Sequence, residues 1–260
     1  MQIQISGVDS ANAPVVVLSA GLGGAAAFWK PQMAALKEKY KVITYDQRGT
    51  GNNPDQLPEN YSMQQMADEL AAALDARGID RYCVAGHALG GLIGLQLAAS
   101  YPQRVTGVVV INGWLSLNAH TRRCFRVRQE LLLNVGVEAF VRAQPLFLYP
   151  ADWMADNQQR MEAEDISHAE HFQGTDNLLR RLNALMACDF TRIAPTLNLP
   201  VLVIYSQDDL LVPWTCSVVL ADALPQSSVA AMARGGHAMS VTYPEEFNQL
   251  LLPWLEQHAA

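Results

Sequence analysis

Positive charge is scarce in this 260-residue chain: Lys and Arg number 18 against 25 Asp and Glu, a formal net charge of −7 at pH 7. Nucleic acid and anionic membranes both demand a basic face, so neither is expected as a partner. Cysteines are few. Cys83, Cys124, Cys188 and Cys216 stand far apart with no C-x-x-C pair, which excludes the usual zinc and dithiol spacings, and no metal is expected. No apolar run approaches the roughly 20 residues of a membrane span. Met1–Gly7 lacks the basic start, apolar stretch and small-residue cleavage site of a secretory signal. A reducing, cytoplasmic setting is the expectation. Repeats and low-complexity tracts are also missing. What remains is 50% hydrophobic and 17% charged, enough apolar material for one sizeable core.

Short β-branched runs punctuate the chain at Pro14–Leu18, Tyr40–Tyr45, Tyr82–Ala85, Val105–Asn112, Val201–Tyr205 and, more weakly, Val229–Met232. They do not alternate with polar residues, as fits parallel strands buried on both faces. Helical patterns lie between them at Met33–Tyr40, Ser62–Arg77, Gly90–Tyr101 and Trp214–Leu224. This alternation predicts a doubly wound, mostly parallel α/β sheet, with Met1–Ile5 as an added antiparallel edge strand. From about Trp114 to Pro195 the strands stop. Thr121–Leu133 and Asn177–Ala187 have helical spacing, so 114–195 reads as a helical insertion between two parts of one core, 1–113 and 196–260.

The most telling absence is a single hydroxyl. Val84-Ala85-Gly86-His87-Ala88-Leu89-Gly90-Gly91 has the form of a nucleophile elbow, the sharp strand-to-helix turn G-x-S-x-G, with Ala88 in the nucleophile's place. Ser19-Ala20-Gly21-Leu22-Gly23-Gly24 follows the first long strand. Its glycines let backbone approach a ligand, and the N–H groups of Leu22 and Leu89 would together form an oxyanion hole. Without a long helix and an acidic ribose partner, this stretch is a poor dinucleotide site, and no cofactor is expected. Asp46 and Arg48, in Tyr45-Asp46-Gln47-Arg48-Gly49-Thr50-Gly51, read as braces between loops. In Ser206-Gln207-Asp208-Asp209-Leu210-Leu211-Val212-Pro213 a carboxylate at a strand end is placed to orient a histidine; Asp209 is preferred, with Asp208 second. His237 follows the Gly235-Gly236 pair. The chain order elbow, acid, histidine is that of the α/β-hydrolases.

These motifs together resemble the α/β-hydrolase family over essentially the whole chain. Two positions depart from its pattern: Ala20, where many members have His before Gly, and Ala88, where the family has Ser. A narrower likeness rests on Tyr45–Pro54, Gly86–Gly90, Asn112–Trp114, Ala119–Phe125, Gln144–Trp153 and Asn177–Leu185. These segments resemble a hydrolase family of the bacterial pyrimidine-utilisation pathway that also carries Ala at the elbow. The resemblance implies a small C–N substrate late in uracil breakdown. That substrate is carbamate, giving ammonia and CO2, or aminoacrylate, giving malonic semialdehyde and ammonia.

Taken with the residues, the expected mechanism has no acyl-enzyme. His237, oriented by Asp209, moves protons and activates a water in the space over Ala88. Arg122 and Arg123 are the preferred clamps for a small anion, with Arg126, Arg180 and Arg181 behind them. Trp114 is expected to wall the pocket and His120 to be a second proton carrier. Cys124 is set aside as a nucleophile, because no base is evident beside it. Two other readings stand beside this one: a non-catalytic protein that binds or scavenges a small metabolite, and a serine esterase whose nucleophile was engineered to Ala88. The expected partner is a small-molecule substrate, and the expected state a monomer or homodimer.

Overall fold

The structure, a computed structural model, describes all residues, 1–260. Seven strands form one sheet: β1 (Gln4–Gly7), β2 (Val15–Ser19), β3 (Lys41–Thr44), β4 (Tyr82–His87), β5 (Val105–Ile111), β6 (Val201–Ser206) and β7 (Ser227–Met232). Their spatial order is β1-β3-β2-β4-β5-β6-β7. Only β1 runs antiparallel, against β3; every other neighbouring pair is parallel. The edge strand lies further along than Met1–Ile5, because Gln4 to Gly7 pair with Thr44 to Lys41. The last strand begins two residues before Val229, at a pair of serines that carry little β signal.

Each inner strand divides its side chains between two cores, as a pleat of period two requires. Val17, Val84, Val108, Val110 and Val203 face one side; Val16, Leu18, Cys83, Ala85, Val109, Ile111, Leu202 and Ile204 face the other. The second side is covered by α1 (Met33–Lys37) and by Trp29 just before it. The first is covered by α2 (Met63–Asp75) and α3 (Leu89–Ser100). Ser62 caps α2, its hydroxyl accepting the Gln65 N–H at 3.2 Å. Helix α3 is apolar on nearly every face and almost wholly buried, as a central crossover helix must be.

Between β5 and β6, which are neighbours in the sheet, the chain makes five α-helices, α4 (Ala119–Asn134), α5 (Val137–Leu148), α6 (Ala151–Asp156), α7 (Gln158–Glu170) and α8 (Thr175–Ala187), and a short 3-10 turn at Ala194–Thr196. The chain then returns through α9 (Trp214–Ala223), α10 (Met239–Thr242) and α11 (Pro244–His258). Phe247, Leu251, Trp254 and Leu255 of α11 seal the second core.

The tightest packing lies where β4 turns into α3. A Cβ on Gly86 would stand 2.2 Å from the Gly90 carbonyl carbon and the Gly91 nitrogen, and one on Gly90 would stand 2.0 Å from the Ser19 carbonyl oxygen. Both obstacles are backbone and cannot swing aside. By contrast, nothing lies within 4 Å of a Cβ on Gly23. Gly90→Ala is therefore expected to cost about 3 kcal/mol or more in urea denaturation, and Gly23→Ala no more than about 0.5 kcal/mol. Equal midpoints for the two variants would show that this close approach does not hold the fold.

Candidate active site

Strand β4 delivers Ala88 at the tip of the sheet with φ 46° and ψ −109°, an unfavourable backbone for a residue with a Cβ. Holding it there costs on the order of 1–3 kcal/mol. The Ala88 N–H donates to the Ile111 carbonyl at 2.7 Å, which ties the turn to β5. Leu89 is the first residue of α3, so its N–H has no partner within the helix.

The Ser19–Gly24 loop is held from three sides. Gln47 Nε2 donates to the Ala20 carbonyl at 2.8 Å, the Gly24 N–H to the Gly21 carbonyl at 3.0 Å, and Arg181 Nη1 to the Leu22 carbonyl at 3.3 Å. The Leu22 N–H itself makes no hydrogen bond within the protein. Asp46 acts as the sequence reading has it, as a brace. One oxygen accepts the Ala26 N–H at 2.9 Å and the other the Asn52 N–H at 2.9 Å. Arg48 pairs with Glu69 at 2.8 Å.

His237 and Asp209 meet in the interior. His237 is 3% exposed, and its Nδ1–H donates to Asp209 Oδ2 at 2.7 Å. The other carboxylate oxygen accepts the N–H groups of Leu211 and Val212 at 2.8 and 2.9 Å. Asp209 is thus fixed on both oxygens, and His237 keeps Nε2 as its free nitrogen. Asp208 has a different task. It accepts the Gly235 and Gly236 N–H groups at 3.1 and 2.8 Å and the Ser206 hydroxyl at 2.5 Å, so it pins the turn before His237. Both glycines have positive φ, 132° and 66°. A Cβ on Gly236 would lie 2.7 Å from the Leu148 carbonyl.

Two positioning residues escaped the sequence reading. Asn112, at the end of β5 with φ 50°, donates from Nδ2 to the His237 carbonyl at 2.7 Å and accepts the Ser206 N–H at 3.0 Å. His87 donates from Nε2 to the same His237 carbonyl at 2.8 Å and stacks on Phe28 with ring centroids 4.6 Å apart. Its ring meets that of His237 edge-on, also at 4.6 Å. Burial, reinforced by His237, pulls the His87 pKa down to about 3, so it is a neutral donor at pH 7. The signal for Asn112 was a polar residue closing the run Val108-Val109-Val110-Ile111. For His87 it was an imidazole inside the elbow itself.

The helical segment differs from expectation. The buried face of α4 runs through Thr121, Cys124, Phe125, Arg128 and Leu132. Arg122 and Arg123 lie off that face, partly and fully exposed, and neither forms a salt bridge or side-chain hydrogen bond. The buried arginines are Arg128 and Arg181. Helical phase separates Arg128 from its neighbours, and composition alone does not. Arg126 is exposed, and Arg180 donates to the Leu57 carbonyl. His120 is exposed and donates from Nε2 to the Leu210 carbonyl at 2.6 Å, which ties α4 to the acid loop. The same nitrogen lies 3.5 Å from Cys124 Sγ, one helical turn on, so a histidine does adjoin this thiol. Because Nε2 carries the proton given to Leu210, it has no lone pair to accept one from the thiol. Trp114 is buried against Phe125, ring centroids 6.3 Å apart, with its indole N–H beside the Cys188 thiol.

Comparison with known proteins agrees with this architecture. Residues 13–136 match the family model described as alpha/beta hydrolase fold. The protein named "Putative carbamate hydrolase RutD" of Enterobacter cloacae is 59% identical over 252 residues, 97% of this chain and 95% of that one. Its namesake in Escherichia coli strain SMS-3-5 is 58% identical, covering 97% and 93%. The crystal structure of the enol-lactonase from Burkholderia xenovorans LB400 superposes with a TM-score of 0.86 at 26% identity, over 98% of this chain and 96% of that one. MGS-M2, an alpha/beta hydrolase from a Medee basin deep-sea metagenome library, gives 0.90 at 21% identity, over 98% and 94%. The chain belongs to the alpha/beta hydrolase fold family and, within it, to the family of these RutD relatives. In addition, no helix is long and apolar enough to cross a membrane.

The neutral state of His87 has a consequence for acid stability. The unfolded chain takes up its proton near pH 6.5 and the folded chain only near 3. The contribution of a neutral His87 is therefore complete above about pH 6.5 and is lost as pH falls toward 3, because the unfolded state binds the extra proton. His87→Gln keeps a donor for the His237 carbonyl without a titrating ring. Urea midpoints of this variant are expected to fall less steeply than wild type between pH 7 and pH 5. Parallel pH profiles would show that His87 is not held neutral.

Proposed function

We propose that this protein hydrolyses a small C–N substrate of late pyrimidine breakdown without a covalent intermediate. The observation that carries the reading is a complete His237–Asp209 pair beside an elbow that has no hydroxyl. A pure binding protein has no use for an imidazole oriented by one oxygen of a buried carboxylate whose other oxygen is held by two backbone N–H groups. The relatives named carbamate hydrolase support carbamate as the substrate.

In this reading the helical segment 114–195 is a cap, and it closes a site in which Ala88 leaves room for water. With carbamate, the His237 imidazolium gives its proton to the nitrogen. The C–N electron pair goes to that nitrogen, and ammonia and CO2 separate. With aminoacrylate, the His237 imidazolium gives its proton to the carbon next to the carboxylate, the C=C electron pair forms the new C–H bond and the nitrogen lone pair closes an iminium. His237 takes a proton from the water that adds to it, and loss of ammonia leaves malonic semialdehyde. The Leu22 and Leu89 N–H groups serve as the oxyanion donors. Such a site lacks the nucleophile of an ordinary amidase. Triad enzymes stripped of one member retain about 10³–10⁴-fold over water, which suits a substrate that already decays unaided.

The test is ammonia release from fresh carbamate and from enzymatically generated aminoacrylate, with and without protein. Wild type is expected to accelerate one of them. His237→Ala is expected to lose about 100-fold or more of that acceleration, the scale of general acid–base catalysis. Ala88→Ser is expected to remain a poor esterase on p-nitrophenyl acetate. An unchanged His237→Ala rate would sink the mechanism, and strong esterase activity in Ala88→Ser would point instead to an acyl-transfer site.

A further inference from the structure

We infer that Arg128 is an anion-binding residue of the helical segment, which takes the carboxylate of a short organic acid. The inference deepens the reading above and rests on it only for what that acid is.

Arg128 is 5% exposed and lies on the buried face of α4. Three phenylalanine rings surround its guanidinium carbon: Phe125 at 5.6 Å, Phe140 at 5.8 Å and Phe147 at 5.8 Å from the ring centroids. These are cation–π distances, and they hold the group without satisfying its N–H donors. Its one hydrogen bond is to the neutral side-chain oxygen of Gln144, whose own Nε2 donates to the Phe140 carbonyl at 3.2 Å. The Arg128 Nε is buried with no partner, and no carboxylate pairs with the group. Burial lowers its pKa to about 10, opposed only by the Cys124 thiol. A buried guanidinium in apolar surroundings is costly unless an anion completes it. Arg181 makes the contrast. Equally buried and likewise with Nε unpartnered, it nevertheless commits both Nη1 and Nη2, to the Leu22 carbonyl, the Gln173 side chain and the Arg48 carbonyl.

Position links Arg128 to the site. Cys124, one turn earlier on α4, feels the charges of both Arg128 and Asp209. Phe147 is followed by Leu148, whose carbonyl accepts the Ala238 N–H at 3.0 Å, the residue after His237. A carboxylate is the fitting ligand because its two oxygens match the planar fork of a guanidinium.

Binding can be read without turnover. Wild type is titrated calorimetrically with propionate and with propionamide, its uncharged counterpart. Propionate is expected to bind and propionamide not. Arg128→Lys is expected to weaken propionate binding about tenfold or more, through loss of the bidentate pair. Gln144→Glu supplies an internal carboxylate, so it is expected to raise the unfolding midpoint of the free protein and to abolish propionate binding. If wild type binds no propionate, or if Gln144→Glu binds it as wild type does, the assignment is overturned. A wild type that binds propionate but leaves carbamate and aminoacrylate decay unchanged overturns the proposed reaction and not this site.

Discussion

The site depends on one steric constraint: backbone passing against backbone where β4 enters α3. Gly86 and Gly90 have no room for a Cβ because the first turn of the helix lies directly over the strand it leaves. That closeness forces Ala88 into positive φ. It also brings the end of β2 against Gly90, so the Ser19–Gly24 loop begins beside the elbow. On the other side, the Ala88 N–H reaches β5 at Ile111, and the next residue, Asn112, reaches the His237 turn. The tips of three strands are therefore placed by one close contact that side chains could not supply.

The His237 turn has no regular structure of its own, and its backbone groups must find partners elsewhere. They find them on four elements. Asp208 takes the two glycine N–H groups, the Leu148 carbonyl takes Ala238, and His87 and Asn112 both donate to the His237 carbonyl. Adjacent carboxylates thus divide the work: Asp208 shapes the turn, and Asp209 orients the ring that the turn presents. Since Leu148 closes α5, the position of His237 is coupled to the helical segment as well as to the sheet.

Most of the core was legible because buried parallel strands write themselves as β-branched runs, and the elbow's glycines are the only residues that fit there. The choice of Asp209 over Asp208 was legible from its spacing to Pro213. What the sequence hid was direction. The α4 arginines differ only in helical phase, and the buried face that fixes the phase includes Thr121 and Arg128 itself, neither of which marks a core strongly. For the same reason the neighbouring positions of His120 and Cys124 passed unnoticed, although four residues is one turn. Asn112 and His87 were hidden for another reason. Their hydrogen-bond partners lie 94 or more residues away in the chain, and no local pattern encodes such a hydrogen bond.

Ala88 keeps the strained turn without the hydroxyl that usually gives the turn its purpose. Strain on the order of 1–3 kcal/mol is a large fraction of a marginal stability, so the turn must still accomplish something. Its remaining product is backbone: the Leu89 N–H, which has no partner within the helix, at the positive end of a 12-residue helix that starts beside Ala88. A fixed N–H stabilises developing negative charge with no reorganisation, and it does so as well for an attacking water as for an acyl-enzyme. Loss of the hydroxyl therefore removes the covalent route, and in the proposed function the electrostatic one carries the reaction. A site of that kind suits reactions whose barrier lies in moving a proton, and in the proposed function His237 supplies it.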